Sequence, residues 1–253
     1  MISGFRIGRG SCHALAFLLL FPPLSWSAEP AAQSREQIER IVKEYLLKNP
    51  EIIRQASEVL AAREEATKQA AVAKALAANR AALERDAGSP VGGNPKGDVT
   101  VVEFFDYNCG FCKRAALNVK ALIDADKKVR VVYKEFPILG PSSMLGAKAA
   151  LAAKRQGKYV AFHEALFELP EISDATIKAL SSRLGMDHAR LVKDMGDAST
   201  LKQIEKDSAL ARSLDINGTP GFVIGARLLP GAVETAVLQQ VVSEQRHGKK
   251  AAK

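Results

Sequence analysis

Between residues 99 and 136 the hydrophobic period changes twice, and this stretch limits the folds open to the chain more than any other. Val99 to Phe105 reads VTVVEFF, β-branched or aromatic at every position but Glu103, the pattern of a strand buried on both faces. Cys109 to about Ala125 reads as a helix, and Val129 to Phe136 as a second strand. A strand, a helix and a strand of these lengths make a βαβ unit with a parallel pair, so the spacing predicts an α/β domain.

From Pro141 to about Leu214 every signal is helical, with helices expected over 147–155, 159–169, 176–184, 189–195 and 201–214. Asn217-Gly218-Thr219-Pro220 breaks that run. Phe222–Ile224 and Arg227–Leu229 read as short strands around Gly225, and 233–246 as a closing helix. The order is therefore β-α-β, an all-helical insert over about 141–214, then β-β-α, in a domain expected over 88–248. Gly88-Ser89-Pro90 and Gly92-Gly93-Asn94-Pro95 read as punctuation before it.

Upstream, residues 29–87 form a helical arm. Ser34 with Gln37 resembles a capping box, and Ile38, Ile41, Val42, Tyr45 and Leu46 recur at helical spacing. Asn49 is expected to cap a second helix, with Pro50 in its first turn, running to Asp86 without Gly or Pro. Ile38, Tyr45, Ile52, Val59, Ala66 and Ala73 fall on a seven-residue spacing. One helix cannot bury such a stripe in itself. Its place ahead of the core domain favours a homo-oligomer, a trimer or dimer, formed through residues 34–87.

The first thirty residues stand apart. Arg6 and Arg9 precede an apolar run, Ala14–Phe21, then Pro22, Pro23 and small residues, with no acid before Glu29. This is the pattern of a secretory signal peptide, expected over 1–28. The run is far shorter than the roughly 20 residues a spanning helix needs. The chain has 36 basic and 28 acidic residues. Removing the leader takes two Arg and no acid, so 34 minus 28 leaves +6. Cys12 leaves too, and Cys109 and Cys112 remain. The positive charge is spread out, apart from a basic tail over 249–253, and no basic stripe interleaves with aromatics, which argues against nucleic-acid binding.

Residues 106–114 read DYNCGFCKR. The pair Cys109–Cys112 could be a structural disulfide, half of a metal site or a reactive dithiol. Export places the thiols in an oxidising compartment, where a C-x-x-C loop is too small to clamp a fold. Cys109 opens a helix, where unpaired N–H groups and the dipole favour a thiolate. Cys112, one turn on, is placed to resolve a mixed disulfide formed at Cys109. Gly110 suits a tight turn and close approach of a substrate backbone. Thr219-Pro220, just ahead of a strand, is where a cis X-Pro bond would be useful.

EFFDYNCGFCK, the helical insert, NGTPGFVIG and LPGA together resemble the DsbA-like branch of the thioredoxin superfamily, from about Ser89 to Arg246. IERIVKEYLLKNPEIIRQASEVL further resembles the oligomerising arm of ScsC proteins. The resemblance implies a thioredoxin-like fold with an inserted helical subdomain. It implies Cys109 as nucleophile, Cys112 as resolving thiol, a redox-active disulfide between them and Pro220 as the cis-proline beside it. It also implies that the Thr219 backbone pairs with substrate and that Glu103 is a buried acid able to take or relay the Cys112 proton. Lys134 on the neighbouring strand is a candidate to neutralise Glu103. Gly110 and Phe111 stand where strongly oxidising DsbA proteins have Pro-His. They lack the donor that holds the thiolate, so the disulfide should be less oxidising.

The expected function is a periplasmic thiol–disulfide oxidoreductase, favouring isomerase or reductase over a DsbA-like oxidase. Its expected partners are disulfide-containing or misfolded secreted proteins and a membrane redox partner. A rival is a Cu(I)-binding copper-tolerance protein, because two thiolates can hold Cu(I); the neighbouring proline crowds that site. No cofactor is called for. Four His give no spaced metal cluster, and His163 in AFHEALF reads as a packed, hydrogen-bonded core residue.

Overall fold

The computed structural model describes residues 34–251. The expected leader and Cys12 lie outside the described residues. The chain divides into two compact units between Val59 and Leu60. No helix among the described residues is long and apolar enough to cross a membrane.

The first unit holds α1 (Arg35–Lys48) and the start of α2 (Glu51–Ala78). The capping box is present at α1: Ser34 Oγ accepts from the Gln37 N–H, and the Gln37 side chain accepts from the Ser34 N–H. No residue of α1 is buried, and Ile38, Ile41, Val42, Tyr45 and Leu47 are exposed. Asn49 does not cap α2. Its Nδ2 and its backbone N–H both donate to the Tyr45 carbonyl, at 2.9 Å each. The last carbonyls of α1 lack intrahelical donors, and Asn49 meets one of them.

In the second unit α2 stops at Ala78, before the expected end. Asn79 Nδ2 donates back to the Ala75 carbonyl, and a short α3 (Arg80–Glu84) follows. The sheet comprises β1 (Val91–Gly93), β2 (Val99–Phe105), β3 (Val129–Glu135), β4 (Gly221–Ile224) and β5 (Arg227–Pro230), in the order β1-β3-β2-β4-β5. β2 and β3 are parallel, with Val99 opposite Val129 and Phe105 opposite Glu135; the other pairs are antiparallel. Between β2 and β3 runs α4 (Gly110–Ala125). Between β3 and β4 run α5 (Pro141–Lys154), α6 (Tyr159–Glu168), α7 (Asp174–Arg183), α8 (His188–Met195) and α9 (Ala198–Ser213); α10 (Thr235–Ala251) closes the chain. α5 begins six residues ahead of the expected Ala147, because Pro141 fits the first turn of a helix, where no N–H is needed.

β1 replaces an expected loop. Gly92 reads as a breaker, yet in the strand it serves packing: a Cβ there would lie 2.8 Å from the Tyr133 ring. Alternation then sorts the sheet's two faces. Val99, Val101, Phe105, Val131 and Tyr133 pack with Cys112, Val119 and Leu122 of α4, Phe162 of α6 and Leu238 of α10. Val102, Phe104, Val132 and Phe136 pack on the other face with Leu76, Leu83, Leu210 and Leu214.

Lys134 belongs to that second face and does not neutralise Glu103. In the register Glu103 lies opposite Tyr133 and Phe104 opposite Lys134, so the two charges point to opposite sides of the sheet. Lys134 Nζ instead donates to the Ala82 carbonyl (2.9 Å), Ser89 Oγ (2.6 Å) and Asp207 Oδ1 (3.1 Å), with Asp86 Oδ2 at 3.5 Å. This buried network fastens α3 and the loop after it to β3 and α9.

Candidate active site

The β2–α4 junction carries the dithiol. β2 ends at Phe105, and Cys109 is the N-cap of the sixteen-residue α4, with φ −78° and ψ 116°. Its N–H donates to the Asp106 carbonyl at 3.1 Å, and its own carbonyl accepts the first helical bond, from Lys113, at 3.0 Å. Its side chain makes no capping bond. Cys109 Sγ instead lies 3.3 Å from the Thr219 carbonyl, to which it donates. The Thr219–Pro220 peptide is cis, and Thr219 lies in the loop before β4.

The two cysteines are unequal. Both are free thiols here, Cys109 6% exposed and Cys112 fully buried. Burial pushes the Cys112 thiol up, and the neighbouring Cys109 adds to this; the Asp106 backbone and the Thr219 side chain pull the other way. Cys109 sits at the rim where a helix N-terminus favours negative charge. Cys112 sits beneath it.

Glu103 lies on the face of β2 that packs against α4. It is wholly buried, and neither carboxyl oxygen has a hydrogen-bond partner. Burial alone pushes its pKa up to about 8. Pro220 is buried and Thr219 half-buried. Gly110 opens α4 without a positive φ, so no turn requires glycine there; a Cβ would meet nothing within 4 Å, which leaves open space beside Cys109. Phe111 is 57% exposed, with the Arg114 guanidinium 4.8 Å above its ring. Among the described residues no group of three or more His, Cys, Asp or Glu side chains is placed to hold a metal ion.

Two buried clusters behind the dithiol were not foreseen. Asp106 Oδ1 accepts from the Asn108 N–H (2.8 Å) and Ser143 O–H (2.7 Å), and Oδ2 from the Ile138 and Leu139 N–H groups (2.8 and 2.9 Å). The signal available for it was an Asp two residues ahead of Asn in a strand-to-helix turn, a common Asx-turn pattern. Glu135 Oε1 accepts from the Tyr159 hydroxyl at 2.8 Å and the Tyr107 hydroxyl at 3.3 Å, and Tyr107 also meets His163 Nδ1 at 2.9 Å. His163 is thus a packed, hydrogen-bonded core residue, and burial pushes its pKa down to about 3.

Residues 100–243 match the DSBA-like thioredoxin domain, and residues 35–67 match the copper resistance protein ScsC N-terminal domain. A thioredoxin-like oxidoreductase from Silicibacter pomeroyi DSS-3 is 47% identical, with a TM-score of 0.65 over 67% of this chain and 98% of that one. ScsC of Proteus mirabilis, in a transitional conformation, is 29% identical, with a TM-score of 0.64 over 84% of this chain and 97% of that one. Disulfide bond formation protein D of Bacillus subtilis is 26% identical over 64% of this chain and 79% of its own length. The chain also aligns with Na+/H+ antiporter NhaA 3 of Salinispora tropica, where it spans 24% of the antiporter's length. With more than half of its residues inside the matched domain, the chain belongs to the DSBA-like thioredoxin domain family.

Proposed function

We propose that the protein exchanges disulfides with exported proteins in the periplasm, Cys109 attacking and Cys112 resolving. The observation that carries this reading is the inequality of the two thiols. Cys109 caps α4 against the Thr219 carbonyl, and Cys112 is sealed beneath it. An exchange centre needs one sulfur that a substrate can reach and a second that only the first can reach.

The favoured direction is isomerase or reductase. Gly110 and Phe111 put no histidine donor beside the dithiol, and the exposed apolar stripe of α1 is suited to bring several copies together. Assembled copies would present several dithiols to one misfolded chain, and a membrane partner would keep them reduced. The test is recovery of activity from scrambled ribonuclease, run beside oxidation of reduced ribonuclease. Faster action on the scrambled substrate supports the isomerase direction, and the reverse supports an oxidase. Cys109→Ala should abolish both activities; retained exchange in that variant overturns the mechanism. Ile41→Glu with Tyr45→Glu should lower the molar mass by light scattering and slow isomerisation. An unchanged mass would remove the arm from assembly.

A further inference from the structure

The start of α4 carries charge of one sign. Its first turn holds no acid, and Lys113 and Arg114 follow Cys112 directly. The one carboxylate in DYNCGFCKR belongs to Asp106, which is buried and already met by four donors. Lys113 is committed inward, its Nζ donating to the Leu169 carbonyl at 2.8 Å. Arg114 is exposed, and among the described residues no carboxylate pairs with it. What holds it is the Phe111 ring, whose centroid lies 4.8 Å from the guanidinium carbon.

Residues three apart share a helix face, and helical side chains lean toward the N-terminus. Arg114 therefore lies back over the turn that holds Cys109, Gly110 and Phe111. Stacking occupies a face of the guanidinium and leaves its edge open, with the N–H fork that matches a carboxylate. A Cβ at Gly110 or at Gly218 would meet nothing within 4 Å, so a substrate backbone has room to approach. From Cys109 to Arg114 the helix rises about 7.5 Å, and an extended residue spans about 3.3–3.6 Å. We propose that Arg114, stacked on Phe111, selects the substrate: the dithiol acts preferentially on disulfides whose cysteine has a carboxylate about two residues away.

The proposal rests on the exchange reading above and names the substrate class for it. In the first step the Cys109 thiolate bonds to one substrate sulfur and the substrate S–S bond breaks. The other substrate sulfur leaves as a thiolate and takes a proton from water. In the second step Cys112 gives up its proton to water and bonds to the Cys109 sulfur. The Cys109–substrate bond breaks, and the second substrate sulfur leaves and is protonated in turn. The substrate has gained two electrons and the dithiol has become a disulfide. Arg114 makes none of these bonds. It acts in the encounter, holding the substrate carboxylate while the neighbouring sulfur meets Cys109.

The test uses the reduced full chain and peptide disulfides that differ only in having Glu, Gln or Lys two residues before each cysteine. Rapid acid quench and mass spectrometry give the rate at which the mixed disulfide forms. Each rate is divided by that of dithiothreitol on the same peptide, which removes the peptide's own reactivity. The wild type should favour Glu over Gln by about fivefold at low ionic strength, the upper end for one exposed ion pair, and the preference should fade in about 0.5 M salt. Arg114→Gln should bring that ratio to about one, and Arg114→Glu should turn the preference to the Lys peptide. Phe111→Leu keeps the charge without its platform and should lower the ratio by about half. A wild-type ratio of one, or a ratio left intact by either Arg114→Gln or Phe111→Leu, would overturn the proposal. A wild type that forms no mixed disulfide with any of the peptides would bring down the exchange reading itself, without any variant being needed.

Discussion

Glu103 and Lys134 are near neighbours in the parallel register, both wholly buried, and they could hardly be treated more differently. Lys134 donates to a carbonyl, a hydroxyl and a carboxylate, with a second carboxylate at 3.5 Å. Glu103, one position and one sheet face away, has no hydrogen-bond partner at either oxygen. Burying a charge is tolerable when partners replace the lost water, and costly when they do not. Lys134 meets that condition and gains a fastening. Glu103 does not, and it is held in the neutral form over most of the physiological range.

The contrast can be broken at its strong end first. Lys134→Ala leaves Asp207 buried beside a void, and unfolding by denaturant should show a loss of about 3–5 kcal/mol. A loss under about 1 kcal/mol would mean that the network holds nothing together.

Glu103→Gln tests the other face. Burial raises the folded-state pKa from 4.5 to about 8, so the folded protein holds this proton more tightly than the unfolded chain. The associated stability is fully present below pH 4.5 and is lost as pH rises through about 8. Glutamine has no such proton to lose. Relative to the wild type, Glu103→Gln should therefore gain stability between pH 5 and 9, on the order of a few kcal/mol, in unfolding curves taken across that range. Parallel curves would show that water reaches the carboxyl.

If Glu103 takes or relays the Cys112 proton, the same variant should slow exchange by up to about tenfold near pH 7. A stopped-flow pH profile should lose its limb near 8. The smallest effect is expected from Lys134→Met combined with Asp207→Leu. Replacing the pair together leaves neither charge stranded, and stability should stay within about 2 kcal/mol of the wild type.

Much of the fold was legible because periodicity and punctuation agreed. β2 and β3 follow their β-branched runs, and the five helices of the insert follow their apolar spacing. The departures share a cause, since each depends on a contact distant in sequence or on the choice between two local bonds. Gly92 belongs to a strand because the Tyr133 ring needs the space. Asn49 could have capped the helix after it or the one before it, and sequence does not rank the two. Lys134 was expected near Glu103 because the strands are adjacent, but one step of register reverses the face. At the site, the C-x-x-C and Thr219-Pro220 could be read from their neighbours. For Asp106 the neighbours offered only the Asx turn with Asn108, because the other three of its four donors lie more than thirty residues away.

The bond between Cys109 and the Thr219 carbonyl depends on a proton. As a thiol, Cys109 donates to that oxygen and is held inward. Once the proton leaves, the sulfur has nothing to donate, and two electron-rich atoms face each other at van der Waals range. The carbonyl then repels what it had retained. On the exchange reading proposed above, ionisation would arm Cys109 and unlatch it in one event, and it would free the Thr219 carbonyl for an incoming peptide N–H.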